Sequence, residues 1–285
     1  MLLNAKGYVE LKINELQNRV SKLETIPTLA IIKVGNDLAS QRYVNNKVNR
    51  CKEVGINSKV IEFGENTKSE IIEEAILSLN NNDIVTGILL QLPLPKHLDE
   101  EYLTNLIIPS KDVDGFTITN TGKLSLGMEC SVACTPRGII DLLKFNNIDI
   151  EGKDVLIINR SNIVGKPLAQ LFLKENATVT IAHSKTKDLK NKIFNSDIVV
   201  SAIGKANYFN HLDFNNNTTI VDVSINFDEN GKMCGDVSKS DYDLLIEKGC
   251  NITPVPNGVG QTTVISLIEQ TIELAELRGQ NKNES

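Results

Sequence analysis

In the stretch SQRYVNNK (residues 40–47), Tyr43 and Lys47 stand four residues apart, so on a helix both side chains share one face. Directed together into a cleft, a phenol and an amine are candidates for proton transfer. At an open surface the same pair means only a lysine stem lying over an aromatic ring. Gln91 closes the apolar run GILLQLPLP, and a polar side chain there has either a structural partner or a ligand. Asp114 lies in the Gly-bounded loop KDVDGF, where the plainest reading is an Asx-type turn.

A second group of residues follows the strand-like run DVLIINR, which leads into SNIVGKPLAQLFLKENA. A turn between a strand and a helix presents backbone N–H groups and a helix N-terminus, a ready place for phosphate. The GxGxxG pattern is absent; Asn159, Arg160 and Ser161 precede Gly165 instead. NAD sites usually carry an acidic residue about 20 positions on, to hold the ribose 2′-hydroxyl. This chain has His183, Ser184 and Lys185 there. Arg160, Ser161 and Ser184 are suited to a 2′-phosphate, which a carboxylate would repel, so NADP is expected rather than NAD.

The elements that must position these residues alternate. Residues 28–35, 58–63 and 85–93 read as short strands, with helices around 40–53 and 68–80 between them. After a looser Thr/Gly/Asn-rich stretch at 112–127 the pattern restarts, with strands at 154–160, 178–183, 198–204 and 218–225. This is the grammar of βαβ units and parallel sheets, and near-continuous apolar strands imply a sheet covered on both faces. The expected fold is α/β: two α/β domains, the second a Rossmann-like doubly wound parallel sheet, with a cleft between them. The first domain is placed at 1–118, with a last helix from 262 packing back on it, and the second at 119–261. Residues 279–285 read as a frayed tail.

Bulk properties exclude several classes. At 285 residues the chain holds two medium domains, and 41% hydrophobic with 23% charged residues is ordinary for a globular protein. A net charge of −6 argues against a nucleic-acid binder. Five cysteines without CxxC spacing imply reduced thiols, and His97, His183 and His211 form no ligand pattern, so no metal is expected. Neither a signal-peptide core nor about 18 consecutive apolar residues occurs, so a cytoplasmic protein is expected, with no membrane partner.

Taken in order, YVNNK, LLQLPLPKH, KDVDGF, CTPRGI, RSNIVGKP and HSKTKDL resemble one family along nearly the whole chain, from about Leu11 to Leu277. It is the bifunctional methylenetetrahydrofolate dehydrogenase/methenyltetrahydrofolate cyclohydrolase family of one-carbon metabolism. The resemblance implies a homodimer that binds a tetrahydrofolate derivative near Lys47, Tyr43, Gln91 and Asp114, and NADP on the second domain. It implies oxidation of the methylene compound and hydrolysis of the methenyl product in one site. Lys47, held by Gln91, would then manage protons, Tyr43 would stack or position the folate, and Asp114 would accept the pterin N–H groups. Asn159, Arg160, Ser161, Ser184 and Ile225 would contact the cofactor.

The chain also departs from the family's pattern. Asn159 stands where Gly is usual, which points to a positive φ there and to altered cofactor affinity. Asn257, Gln261 and Thr262 replace the usual Gly, Pro and Met, and Ser224 and Phe227 replace Gly and Arg. A member with a weakened dehydrogenase, a non-catalytic folate- or nucleotide-binding protein, and a Rossmann reductase of another substrate are the alternatives.

Overall fold

A computed structural model of the chain describes residues 1–283. The chain opens with α1 (Lys6–Val20), β1 (Thr28–Val34), α2 (Leu38–Val54), β2 (Asn57–Phe63), α3 (Ser69–Asn80), β3 (Gly87–Leu90), α4 (Glu100–Asn105) and α5 (Ile118–Ser125). It continues with α6 (Cys134–Phe145), β4 (Asp154–Ile158), α7 (Gly165–Lys174), β5 (Thr178–Ala182), α8 (Leu189–Phe194), β6 (Ile198–Ser201) and β7 (Thr219–Asp222). The last elements are β8 (Asn226–Phe227), β9 (Met233–Cys234), α9 (Tyr242–Glu247), β10 (Asn251–Ile252) and α10 (Val259–Asn283). Two compact units result: Glu10–Cys134 with Val264–Ser285, and Met1–Val9 with Thr135–Thr263.

The first of these carries a parallel sheet in the order β2-β1-β3. Every residue of β1 is buried, as a strand covered on both faces must be. Ala30, Ile32 and Val34 point one way, onto Ile72, Ile76 and Leu79 of α3 and Leu103 of α4. Burying each such large aliphatic side chain stabilises by about 1.5–3 kcal/mol. The chain leaves β1 to pair β2 on one side and later β3 on the other, so the carboxyl end of β1 is a topological switch point. Residue Asp112 adds an isolated parallel bridge to Ile88, extending the sheet beyond β3.

The other unit carries five parallel strands in the order β10-β7-β6-β4-β5 and a small antiparallel pair, β8-β9. Alternation along β4 divides its core: Val155 and Ile157 pack with Leu168 and Phe172 of α7. Leu156 and Ile158 face Ile193 of α8 and Leu245 of α9 instead. Helices on both faces of a parallel sheet make it doubly wound, as the apolar runs required. Its switch point lies at β4, whose neighbours β5 and β6 follow it in sequence on opposite sides. The amino terminus joins the edge, where Leu2 bridges Ile252 and the Leu3 N–H donates to the Ile252 carbonyl at 2.8 Å.

One expectation fails at the far end. α10 continues through Gly279 to Asn283, so 279–283 is helix rather than frayed tail. A single Gly costs a helix only about 1 kcal/mol, too little to end one that is otherwise well formed. Residues 284 and 285 lie outside those described.

Candidate active site

Helix α2 starts directly after the switch strand β1, and its first turn is fixed by Asp37, whose carboxylate accepts the Ser40 N–H at 2.7 Å. Tyr43 and Lys47 follow on one face, with Cys51 a further four residues on. The Lys47 ammonium donates to Gln91 Oε1 at 2.8 Å. Gln91 sits one residue past β3, its backbone N–H donating to the Ile32 carbonyl at 2.8 Å, so the strand ladder holds it. Its amide nitrogen donates to the Leu92 carbonyl at 2.7 Å, which turns the amide oxygen toward Lys47. The amide is therefore an oriented acceptor, not a free surface group.

Asp114 lies beside this pair. Burial pushes the Lys47 amine below its ordinary range, while the nearby Asp114 carboxylate pulls it back up. Burial likewise pushes Asp114 up, against the opposing pull of Lys47 and a hydrogen bond from Cys134. Cys51 is driven up to about 12, mainly by burial, and stays a thiol. Tyr43 is 41% exposed and its ring is open to a flat partner, though burial of its hydroxyl raises that group too. Lys47, Gln91, Asp114 and Tyr43 all belong to one unit.

The Asx turn read at Asp114 belongs to Asp112. Its carboxylate accepts from the N–H groups of Gly115 and Thr117, both at 2.9 Å, and from the Asn120 amide at 2.9 Å. Asp114 is thereby released from turn building. Gly87 explains why the loop sits here: a Cβ on it would stand 2.2 Å from Val113 Cγ1. A bare backbone at Gly87 lets the Asp112–Val113 segment lie against the sheet. Sequence reasoning missed two supports. Gln270 of α10, 1% exposed, donates to the Val113 carbonyl at 2.7 Å and the Val132 carbonyl at 2.9 Å, and accepts the Val132 N–H at 2.7 Å. Cys134 contacts the Val113 carbonyl at 3.4 Å. Gln270 follows Glu269 in a helix of mixed polarity, so no local pattern marks this clamp.

In the other unit, Asn159 and Arg160 leave the carboxyl end of β4, and Ser161 follows. The parallel register pairs Ile158 with Ala182, the last residues of β4 and β5, and Arg160 and Ser184 each follow one of these adjacent strand ends by two residues. Both are exposed. Gly165 opens α7 so close to β4 that a Cβ would stand 2.2 Å from the Asn159 carbonyl oxygen. The helix N-terminus is thus set immediately beyond the strand, where it favours anionic charge. Ile225, 38% exposed, follows β7, and a Cβ at Gly260 would stand 3.7 Å from its Cδ1.

The positive φ expected at Asn159 is not found. Left-handed backbone among the described non-glycine residues occurs at Asn147, Asn176, Asp188, Asn207, Asn217 and Asn257. Asn159 instead uses its side chain: the amide donates to the Ala202 carbonyl at 2.6 Å, and Oδ1 accepts the N–H groups of Ser161 at 2.8 Å and Gly165 at 3.2 Å. It ties β4 to the end of β6 and shapes the turn. The Gly-to-Asn exchange with left-handed backbone occurs at Asn257, φ 79°. Thr262 is fully buried and donates to the Val259 carbonyl at 2.9 Å, so that departure serves packing within the helix start.

A dinucleotide-type turn in one unit and an oriented lysine–glutamine pair at a sheet end in the other define a two-unit α/β protein of cofactor-handling type. Residues 3–114 match the family pattern described as tetrahydrofolate dehydrogenase/cyclohydrolase, catalytic domain. Residues 133–279 match its NAD(P)-binding domain. The chain belongs to the tetrahydrofolate dehydrogenase/cyclohydrolase family. It is 43% identical over 282 residues to the bifunctional protein FolD of Bacillus anthracis, covering 98% of each chain. The crystal structure of the bifunctional enzyme FolD of Campylobacter jejuni matches with a TM-score of 0.94 at 41% identity, over 98% of this chain and 99% of that one. The Trypanosoma brucei methylenetetrahydrofolate dehydrogenase-cyclohydrolase, solved with NADP and an inhibitor, matches at 0.91 and 30% identity, over 98% of each chain.

Among the described residues no group of His, Cys, Asp and Glu is arranged to hold a metal ion, and no helix is long and apolar enough to cross a membrane.

Proposed function

We propose that this chain oxidises 5,10-methylenetetrahydrofolate to the 5,10-methenyl compound with NADP and hydrolyses that product to 10-formyltetrahydrofolate, using one active site. The observation that carries the reading is the half-buried Lys47 ammonium on the oriented oxygen of Gln91, with Asp114 beside it. The donor set fits the cofactor: Arg160 and Ser184 just past adjacent strand ends, the Ser161 turn, the α7 N-terminus, and no carboxylate in the His183–Lys185 sequence. The chemistry that NADP would supply, held by these residues, is an acceptor for the hydride of the methylene carbon. The protein's own part is proton management and orientation. Asp114 accepts the pterin N–H groups, and Tyr43 presents its ring to the folate. Lys47, its proton loosened by burial, takes a proton from the water that adds to the methenyl carbon. It returns one to the ring nitrogen as the carbon–nitrogen bond opens.

Residues 1–118, with the helix from 262, are assigned to folate and residues 119–261 to NADP. A cytoplasmic homodimer is the working state that the family resemblance supports; light scattering on the purified chain checks the dimer. The deciding experiment follows NADP reduction with methylenetetrahydrofolate, repeats it with NAD, and separately follows loss of methenyl absorbance. Both activities, with NADP preferred, are expected. A preparation that folds and shows neither reaction sinks the reading.

A further inference from the structure

Asp236 lies just past the β8-β9 pair and is fully buried, yet its carboxylate faces donors from two separate segments. Oδ2 accepts from the Ser201 hydroxyl at 2.6 Å, the Ser224 hydroxyl at 2.7 Å and the Ile203 N–H at 2.9 Å. Oδ1 accepts from the Lys205 N–H at 2.9 Å and the Asn226 amide at 3.1 Å. Ser201 ends β6, Ile203 and Lys205 flank the Gly204 turn, and Ser224 and Asn226 flank Ile225. One carboxylate therefore ties the carboxyl end of β6 to the segment after β7. Ser224 adds a second tie by accepting the Gly204 N–H at 3.0 Å. Behind it, Asp222 accepts the N–H groups of Asp236 at 3.0 Å and Val237 at 2.8 Å, which fixes the backbone carrying Asp236.

The position of this network matters for a dinucleotide. With the 2′-phosphate end at Arg160 and Ser184, just past β4 and β5, and the pyrophosphate at the α7 N-terminus, the other half must run toward β6 and β7. Those are the strand ends that Asp236 holds. None of the five donors is a charged side chain, so the carboxylate is compensated by oriented N–H and O–H groups, and each depends on it in turn.

We infer that Asp236 is a positioning residue for the nicotinamide-bearing half of the cofactor, acting through the Gly204 turn and the Ser224–Asn226 segment. The inference rests on the NADP reading above. It also gives Ser224 a purpose, since its hydroxyl supplies two of the links that a glycine lacks. Asn at 236 keeps the shape but offers one acceptor oxygen, and its NH2 confronts N–H and O–H groups on the other side.

The test compares NADP with adenosine 2′,5′-bisphosphate, which carries the 2′-phosphate end and no nicotinamide. Both are titrated calorimetrically into the full-length protein, with methenyl hydrolysis and thermal melting reporting the folded fraction. Asp236→Asn is expected to weaken NADP by about tenfold or more, and Ser224→Gly by about two- to threefold, roughly the scale of lost hydrogen bonds. The bisphosphate should bind all three proteins within about twofold. Equal weakening of both ligands, or unchanged NADP binding in folded Asp236→Asn, overturns the inference. If Asp236→Asn does not fold, Ser224→Gly and Ser201→Ala decide by the same split, and its absence from both counts against Asp236. A wild-type protein that binds neither ligand fails the NADP reading itself, a separate result.

Discussion

The two parallel sheets share a grammar, yet their switch points are built in opposite ways. In each, a first strand is flanked by its next two successors, β1 by β2 and β3, β4 by β5 and β6. At the β1–β3 end, side chains face one another: Lys47 on Gln91, Asp114 beside them. At the β4 end, side chains are spent on the backbone: Asn159 holds two N–H groups and a carbonyl, and the Ser161 hydroxyl accepts the Val164 N–H at 3.1 Å. One end offers functional groups and the other a shaped main chain. Substitutions should therefore fail differently, by losing a reacting group in one unit and by losing shape or charge in the other.

The largest effect tests the first half of that contrast. Lys47→Met should lower methenyltetrahydrofolate hydrolysis by about two orders of magnitude or more, the scale of a positioned acid–base group. NADP titration should be unaffected, because its proposed contacts lie in the other unit. Hydrolysis near the wild-type rate would remove Lys47 from the chemistry. Next in size, Arg160→Ala should weaken NADP by about 1.5–3 kcal/mol, roughly ten- to a hundredfold, and NAD far less. Equal losses would make Arg160 a pyrophosphate or structural residue and undo the argument for a 2′-phosphate.

A pH profile sharpens the contrast further. The Asp114 carboxylate raises the Lys47 pKa, opposing the larger effect of burial. Asp114→Asn removes that opposition, so Lys47 loses its proton at lower pH. The basic rise in the saturated hydrolysis rate should move down by about one pH unit, a common size for loss of a nearby opposite charge. Movement upward, or none, would mean that the titrating group is not Lys47.

Much of this was legible where chemistry and local geometry coincide. Tyr43 and Lys47 share a helix face by spacing alone, and Arg160 and Ser161 follow an apolar strand whose end is visible in the sequence. The strand and helix alternation foretold both sheets for the same reason. The long-range supports were not legible. Gln270 reaches Val113 across 157 positions, and Asp236 reaches Ser201 across 35, through folds that no local pattern encodes. Asp112 and Asp114 are two residues apart in one motif, and only the surrounding N–H groups tell the turn builder from its neighbour.

Asn159 carries the smallest expected effect and the finest test of the contrast. Read from sequence, an Asn in place of Gly implies strained backbone, so that Asn159→Gly would relieve strain and tighten NADP. The structure supplies the opposite argument. No left-handed φ exists there to relieve, and the variant deletes a 2.6 Å bond to Ala202 together with the acceptor for Ser161 and Gly165. It also gives the unfolded chain more freedom, which alone costs about 0.4–1 kcal/mol. Asn159→Gly should lower the melting temperature by a few degrees, in line with about 1–2 kcal/mol for the bond and the added chain entropy. NADP binding should weaken severalfold, because the turn that presents the α7 N-terminus is no longer held. Calorimetric titration beside a melting curve decides it. Tighter NADP binding at a lower melting temperature would show that the brace stabilises the fold at the cofactor's expense, and that the β4 end is not shaped for its ligand.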